Sequence, residues 1–517
     1  MKKSFSLIIS GILFGISFPP DSIGAIAFFS FTLFLFVIKK EKNYFSAVRS
    51  FYIFFLIANL IALYWISGFT HLKDGYLVLA GILTIVVHPF FFLPAILLFT
   101  FFRNQLGETI AMSLFPFLWT SYEWFRSYTE FAFPWLTVGN TQTYDLQFIQ
   151  ISSVFGVYGI SFLVLLINVL FVFLYEFKDE SKIKSISIAL GILLLYFIPK
   201  IYGNYILENQ KISETEKISV AIIQPNIDPF DKWTNSVEKQ ITVLKEMSNI
   251  TNIFNPDLIV FPETAIPKYL NLEENYLGNE KIYSELNSIG KPILTGVPFF
   301  KYVSENTFGA KQISNTNSFY QAFNSSMLFF PNKKKFYTYS KMQLVPFAEH
   351  VPYSQNFSFL KNFGWGFGIS DWNVGDKYTV FKIQNTKFAN IICFESVFPH
   401  HFTKFDGAEF FTIITNDSWW GNTSGAIQHY RFAILRAIEN RKWIVRSANG
   451  GISCFIDPFG NVHKPTQYDT KKIIFQNIFP NSEKTFYANH IDWFPIFSTI
   501  FLSFAFVFSI IKKINVK

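Results

Sequence analysis

The stretch Phe388–Pro399 reads FANIICFESVFP, and it predicts a buried strand that ends in a thiol. Its apolar residues lead directly to Cys393, and Glu395 follows two residues later. Loops at strand ends hold reactive side chains on a rigid scaffold, so Cys393 is a candidate nucleophile. A free cysteine taken alone is more often a small buried hydrophobe. Two other stretches of the chain favour the functional interpretation.

The composition indicates membrane segments together with a globular domain. Of 517 residues, 50% are hydrophobic, 67 are phenylalanine and only 15% are charged. A soluble protein of this length would carry about a quarter charged residues. The net charge of +8 does not indicate nucleic-acid binding, because much of the excess lies beside apolar runs. The two cysteines, Cys393 and Cys454, exclude a disulfide framework, and no metal site or cofactor is expected.

Eight apolar runs predict membrane helices, since a spanning helix needs about 20 apolar residues. The first two are short and could form one re-entrant hairpin. We expect a seven-helix membrane domain at 1–202, an extracytoplasmic catalytic domain at 203–490, and a C-terminal helix with a cytoplasmic tail at 491–517. The runs are Phe5–Phe18, Ile23–Ile38, Phe51–Ile66, Tyr76–Phe102, Thr109–Phe125, Ile151–Tyr175, Ile186–Ile201 and Trp493–Ile511.

The placement of basic residues predicts the orientation. With a cytoplasmic N-terminus, the outer connections among the first seven helices contain only Lys73 and Arg126. This asymmetry follows the positive-inside rule and places residues 203–490 outside the membrane. The inner connections contain Lys2, Lys3, Lys39, Lys40, Lys42, Arg49, Arg103, Lys178, Lys182, Lys184, Lys512, Lys513 and Lys517.

Beyond Tyr202 the sequence changes to short apolar strands that alternate with helical stretches. This alternation predicts an α/β domain in which both faces of each sheet are covered. The predicted strands are 218–224, 256–262, 292–297, one or more within 318–330, 410–415, 443–447 and 452–456. The predicted helices are 236–250, 279–288 and 428–440.

Three polar residues near strand ends form a chemically coherent set: Glu263 after VFP, Lys341 in YSKMQLVPFAEHVP, and Cys393. A carboxylate can take the proton of a thiol as general base. A lysine ammonium favours the thiolate and stabilises a tetrahedral oxyanion. Attack of the thiolate on a carbonyl gives a thioester, which a second nucleophile resolves.

This Glu-Lys-Cys set resembles the active-site signature of the nitrilase superfamily, which implies an αββα sandwich fold. The flanking helices make nearly the whole chain similar to the apolipoprotein N-acyltransferase family. The motifs that carry the resemblance are FPETAIP, LVPFAEHVP, ICFESVFP, QPNI at 224–227, NDSWWG at 416–421 and QHYRFAILRAIENRKWIVRSANGGIS at 428–453.

The resemblance implies a multi-pass enzyme of the bacterial inner membrane whose catalytic domain lies on the periplasmic side. Glu263 would be the base, Lys341 the oxyanion stabiliser and Cys393 the nucleophile. The acyl donor would be a phospholipid, phosphatidylethanolamine by expectation, and the acceptor the α-amino group of the S-diacylglyceryl cysteine of an apolipoprotein. Supporting or substrate-binding positions would be Trp233, Glu349, Phe394 and Glu395. Phe394 departs from the family, in which a tyrosine is expected.

Two other functions fit parts of the sequence. A membrane-tethered amidase would use the same three residues with water as the acceptor, although eight spans have little purpose for a water-soluble amide. A transporter with an inactive outer domain predicts paired charges in the helices or an internal repeat, and neither is visible. Labelled phospholipid and a diacylated peptide separate transferase from hydrolase by their products.

Overall fold

The computed structural model describes residues 3–20, 23–67, 75–210, 216–229, 231–232, 236–270, 276–313, 316–333, 336–357 and 372–515. The N-terminal part of the chain is helical throughout these ranges. Its helices are α1 Lys3–Ile16, α2 Ala27–Ser30, α3 Thr32–Ile38, α4 Tyr44–Ala62, α5 Gly75–Val87, α6 Leu93–Leu106, α7 Glu108–Arg126, α8 Leu146–Ile149, α9 Ser152–Phe177 and α10 Lys182–Glu208.

Five helical segments among the described residues are long and apolar enough to cross a membrane. The predicted run at Tyr76–Phe102 belongs to one of them, formed by α5 and α6 with a 3-10 turn between them. The first two runs give shorter helices. Helix α10 continues to Glu208, so it passes through the predicted domain boundary at residue 203. The segments are Tyr44–Ala62, Val78–Leu106, Ser152–Phe177, Lys182–Glu208 and Trp493–Ile514.

The C-terminal part contains two mixed sheets. In the described residues one sheet has the order β13-β1-β2-β3-β5-β4, with β6 also paired to β5, and the other has the order β12-β11-β10-β9-β8-β7. The strands are β1 Ile218–Gln224, β2 Leu258–Val260, β3 Ile293–Val303, β4 Lys311–Gln312, β5 Phe319–Phe329, β6 Tyr337–Ser340, β7 Val380–Ile383, β8 Thr386–Ile392, β9 Phe410–Thr415, β10 Ile444–Ala448, β11 Cys454–Ile456, β12 Val462–His463 and β13 Lys472–Ile478.

The sheets lie face to face, and helices cover their outer faces. Because side chains alternate along a strand, Val220 and Ile222 of β1 enter the core between the sheets, whereas Ala221 and Ile223 pack against the outer helices. This layering confirms the predicted αββα sandwich. The remaining helices are α11 Val237–Thr251, α12 Tyr276–Ile289, α13 Pro399–Phe402, α14 Ser424–Asn440, α15 Phe486–Asn489 and α16 Trp493–Asn515.

Helix α14 lies between the second sheet and the membrane helices. At its first turn Gly425 meets the ring of Trp65 so closely that an added Cβ would lie 2.6 Å from a ring carbon. At its last turn the Glu439 carboxylate accepts a 2.9 Å hydrogen bond from the amide of Val157 in α9. The helix therefore touches the membrane part of the chain at both of its ends.

Candidate active site

The three predicted catalytic residues follow strands of both sheets. Glu263 lies three residues after β2, Lys341 directly follows β6, and Cys393 directly follows β8. Lys341 Nζ is 3.7 Å from Glu263 Oε1, and both residues interact electrostatically with the Cys393 thiol. Lys341 is 1% exposed, whereas Cys393 is partly exposed. The structure therefore brings together three side chains that lie up to 130 positions apart in the printed sequence.

Glu349 also belongs to this cluster. Lys341 Nζ donates a 2.9 Å hydrogen bond to Glu349 Oε1, and the Val345 amide donates a 2.8 Å bond to its Oε2. Asn324 in β5 links the two carboxylates, because its Nδ2 donates to Glu263 Oε1 at 2.8 Å and to Glu349 Oε1 at 3.1 Å. Burial lowers the pKa of Lys341, but Glu349 and then Glu263 outweigh it and hold that pKa above its usual range. Lys341 therefore carries a fixed positive charge.

Opposing influences act on the Cys393 thiol. Burial raises its pKa first, the Glu263 carboxylate raises it further, and Lys341 lowers it, with the net pKa well above the ordinary 9.0. The resting side chain is consequently a thiol at neutral pH. A base has to remove its proton as it attacks, and the Glu263 carboxylate, which interacts electrostatically with the thiol, is the candidate.

Glu395 is completely buried and holds two of the site's loops together. Its Oε1 accepts hydrogen bonds from Tyr339 OH at 2.8 Å and from the Met342 amide at 2.6 Å, next to Lys341. Its Oε2 accepts a 2.7 Å bond from the Ile392 amide, immediately before Cys393. The carboxylate thus fixes the loop that carries the lysine to the turn that carries the thiol.

Phe394 is directed toward the membrane part of the chain. Its ring stacks on Phe133 at 6.3 Å between centroids and contacts Phe398 edge-on at 5.2 Å. Phe133 belongs to the connection between α7 and α8, which therefore forms part of the wall beside Cys393. The predicted position Trp233 lies outside the described residues, as do residues 358–367 of the aromatic stretch 357–367.

Three polar residues around the site were not among the residues predicted from the sequence. Asn324 is one, and Lys232 is another: it is 2% exposed, and its Nζ donates a 2.8 Å bond to the Glu263 carbonyl. Burial lowers the pKa of Lys232 to about 8, against the influence of Glu263. His429 is the third, with its Nε2 3.2 Å from the Cys393 carbonyl oxygen. The position of Lys232 next to Trp233 could have drawn attention to Lys232, and His429 lies within the motif at 428–453.

Comparison with known families places both parts of the chain. The model of the apolipoprotein N-acyltransferase N-terminal domain matches residues 10–170, and that of carbon-nitrogen hydrolase matches residues 219–485. Among solved structures, an amidase from Nesterenkonia sp. has a TM-score of 0.37 at 12% identity, covering 53% of this chain and 94% of its own. That score is too low for a conclusion about fold or function.

Two relatives extend over almost the entire chain. A protein named apolipoprotein N-acyltransferase from Geobacter metallireducens is 29% identical over 500 residues, covering 94% of this chain and 91% of its own. One of the same name from Chlorobaculum tepidum is 33% identical over 510 residues, covering 96% of this chain and 94% of its own. With that identity over nearly both full lengths, the chain belongs to the apolipoprotein N-acyltransferase family and is an acyltransferase.

Proposed function

We propose that the protein transfers an acyl chain from a phospholipid to the α-amino group of the N-terminal S-diacylglyceryl cysteine of apolipoproteins, through a thioester on Cys393. Lipoprotein N-acylation follows from the family, whereas the thioester and the donor are our proposal. The observation that carries it is the buried Lys341 ammonium, 3.7 Å from Glu263 and interacting with the Cys393 thiol.

In the first half-reaction the sulfur of Cys393 attacks the ester carbonyl of the phospholipid. Glu263 takes the thiol proton as the sulfur–carbon bond forms, and Lys341 stabilises the oxyanion. The ester carbon–oxygen bond then breaks, and Glu263 returns the proton to the leaving alkoxide. The products are a thioester on Cys393 and a lysophospholipid, so that atoms and charge balance.

In the second half-reaction the neutral α-amine of the lipoprotein attacks the thioester carbon. A carbon–nitrogen bond forms, the carbon–sulfur bond breaks, and Glu263 moves one amine proton to the departing sulfur. Free thiol and the amide product result. The same base and the same cation serve both steps, because each passes through a tetrahedral oxyanion at the same place.

Contacts with the membrane helices support a lipid substrate. Gln428 Nε2 donates to the carbonyl of Ala62, the last residue of α4, at 3.1 Å, and to that of Pro19 at 2.9 Å. Its neighbour His429 lies against the nucleophile. Cys393 is therefore held next to the ends of the membrane helices, where an ester at the headgroup level of a phospholipid can reach it.

We also propose the topology that follows from the charge distribution, with eight spans, a membrane domain at 1–202, and residues 203–490 on the periplasmic side of the inner membrane. Single cysteines introduced into a Cys393→Ala/Cys454→Ala background at Lys301, an exposed residue of β3, and at Lys178, an exposed residue after α9, test it. A membrane-impermeant maleimide applied to intact spheroplasts should label Lys301→Cys and leave Lys178→Cys unlabelled. The reverse pattern would overturn the topology.

The transfer is tested with the full-length protein in proteoliposomes that contain phosphatidylethanolamine with a labelled acyl chain. Without acceptor, intact-mass and peptide mapping should place one acyl group on Cys393 and none on Cys454. Addition of a diacylated peptide should move the label to the peptide amine. Cys393→Ala should abolish both steps, with Cys454→Ala as the matched control.

Other outcomes would contradict parts of this proposal. Release of free fatty acid without N-acyl peptide would favour the membrane-tethered hydrolase. Full transfer by Cys393→Ala would refute the thioester. Equal rates with phosphatidylglycerol in place of phosphatidylethanolamine would remove the expected headgroup preference and leave the transfer itself standing.

A further inference from the structure

A buried group of polar, ionisable side chains lies beneath the proposed nucleophile and takes no part in the reaction described above. It consists of Asp417 after β9, His429 in α14 and Arg446 in β10, each with 1% or less of its surface exposed. Asp417 Oδ1 is 2.9 Å from His429 Nδ1, and Asp417 Oδ2 accepts a 2.8 Å bond from Arg446 Nη2. Charged side chains are rarely buried unless they are paired in this way.

The far edge of the His429 ring faces the nucleophile turn. Its Nε2 lies 3.2 Å from the carbonyl oxygen of Cys393 and 2.9 Å from Ser396 Oγ. Ser396 Oγ in turn donates a 2.7 Å bond to that same carbonyl. One imidazole therefore connects the buried Asp417–Arg446 pair to the main chain of the catalytic residue.

The main chain at Cys393 needs such support. Its φ of +52° lies in the left-handed region, which is uncommon for a residue other than glycine. A residue held in a sparsely populated conformation is strained and persists only where its surroundings impose it. Glu395 fixes the peptide before Cys393, through the Ile392 amide, and Ser396 and His429 meet the carbonyl after it.

We propose that His429 is a positioning residue for the acyl transfer, and that it holds Cys393 in its left-handed conformation so that the sulfur faces Glu263 and Lys341. The inference rests on the proposed role of Cys393 as nucleophile. His429 has no exposed surface, so it acts through the main chain of Cys393 and not on the substrate. Loss of its Nε2 should lower the rate of chemistry and leave substrate binding unchanged.

Three substitutions separate this role from simple packing. His429→Gln places an amide nitrogen at about the position of Nε2 and keeps a group facing the Cys393 carbonyl. His429→Asn keeps a polar group facing Asp417 but does not reach the carbonyl, and His429→Leu removes both contacts. The full-length variants are compared in proteoliposomes by kcat, KM, the rate of acyl-enzyme formation without acceptor, and melting temperature.

We expect His429→Gln to stay within about fivefold of the wild-type kcat and His429→Asn to lose about 100-fold, since a 1 Å misplacement of a reacting group costs about that much. KM for both substrates should stay within about twofold. Acyl-enzyme formation should fall in parallel with kcat. The Gln and Asn variants are both polar and of similar size, so the comparison stands even where His429→Leu fails to fold.

Several results would overturn the inference. Wild-type kcat in His429→Asn would show that the carbonyl contact is dispensable. Equal losses in the Gln and Asn variants, or losses that track melting temperature, would assign the residue to packing alone. Full activity of Cys393→Ala in the same assay would remove the proposed nucleophile itself, whereas loss in Cys393→Ala with a normal His429→Asn would overturn only the positioning role.

Discussion

The indole Nε1 of Trp135 donates a 2.6 Å hydrogen bond to Gln428 Oε1, and both residues are about 99% buried. This contact joins the connection between α7 and α8 to helix α14 of the catalytic domain. The amide nitrogen of Gln428 donates hydrogen bonds to the carbonyls of Pro19 and Ala62. A single side chain therefore links three segments of the membrane part to the helix beneath the active site.

Gln428→Leu should weaken this junction strongly. The substitution leaves the Trp135 donor and the Pro19 carbonyl without these hydrogen bonds, at a cost of about 1–3 kcal/mol each, whereas the Ala62 carbonyl keeps its 2.9 Å bond from Trp65 Nε1. We expect a clear fall in the melting temperature of the detergent-solubilised protein together with a loss of transfer activity. Gln312→Leu is the matched control, because Gln312 is exposed and its amide donates to the carbonyl of the nearby Thr316. Equal melting temperatures for the two variants would contradict the prediction.

Gly296→Ala should displace the proposed base. A Cβ at this position would overlap the Thr264 amide nitrogen and lie 2.7 Å from Glu263 Cα, so the backbone of Glu263 must shift. Overpacking of this kind costs about 1–3 kcal/mol, and a shift of 1 Å would lower kcat about 100-fold. Gly191→Ala, in α10, has nothing within 4 Å of the added carbon and should leave both stability and kcat unchanged. An unchanged kcat in Gly296→Ala would show that the added Cβ does not displace Glu263.

Lys341→Met should slow the alkylation of Cys393 by iodoacetamide. Lys341 lowers the pKa of the Cys393 thiol, so its removal raises that pKa and reduces the thiolate fraction at every pH below it. A neighbouring opposite charge shifts a pKa by about 1–3 units, which predicts at least about a tenfold slower reaction between pH 8 and pH 9. Lys301→Met, at an exposed lysine, is the control. An unchanged alkylation rate in Lys341→Met would show that Lys341 does not lower the pKa of the Cys393 thiol.

Glu395→Gln should remove part of the acid sensitivity of the fold. Burial raises the pKa of Glu395, but His401 and the hydrogen bonds to the carboxylate outweigh it, so the net pKa lies below the ordinary 4.5. A depressed carboxyl pKa stabilises the folded state above pH 4.5, and that stabilisation disappears as the pH falls through the folded-state value. The variant should be about 1–3 kcal/mol less stable at pH 7, because a glutamine has one oxygen acceptor where Glu395 uses two, for the Met342 and Ile392 amides.

The measurement for Glu395 is the melting temperature between pH 3 and pH 7. As the pH is lowered from 7 to 3, the melting temperature of the wild type should fall further than that of Glu395→Gln. Glu305→Gln, at an exposed position, should follow the wild-type curve. Parallel curves for wild type and Glu395→Gln would mean that the carboxylate is not held as described.

Continuous apolar runs made several strands predictable. The predicted bounds 218–224 and 410–415 are those of β1 and β9, because both strands are buried on two faces and contain no charged residue. Strand β13, at the edge of its sheet beside β1, escaped prediction because it is only partly buried and carries Lys472, Gln476 and Asn477. Edge strands lack the apolar run by which a central strand is recognised.

Only those residues of the candidate site that lie within a recognisable family motif could be predicted from the sequence. Glu263, Lys341 and Cys393 stand in stretches that resemble a family signature, and the fold brings them together. Asn324 and Lys232 have no local pattern, since a polar residue within a strand or turn is ordinary until its partner is known. Their partners lie 61 and 31 positions away respectively, and only the sheet topology makes them neighbours.

Gln428 and His429 are consecutive residues of α14, and one touches the last residue of α4 while the other touches the carbonyl of the nucleophile. Two adjacent residues of α14 therefore fix the position of the Cys393 sulfur relative to the ends of the membrane helices. Under the proposed function, the acceptor amine has to reach the sulfur close to the membrane helices. An amine on the lipid-bearing residue would be brought there by the acyl chains of that residue, and the proposed function therefore favours it over a lysine farther along the same polypeptide.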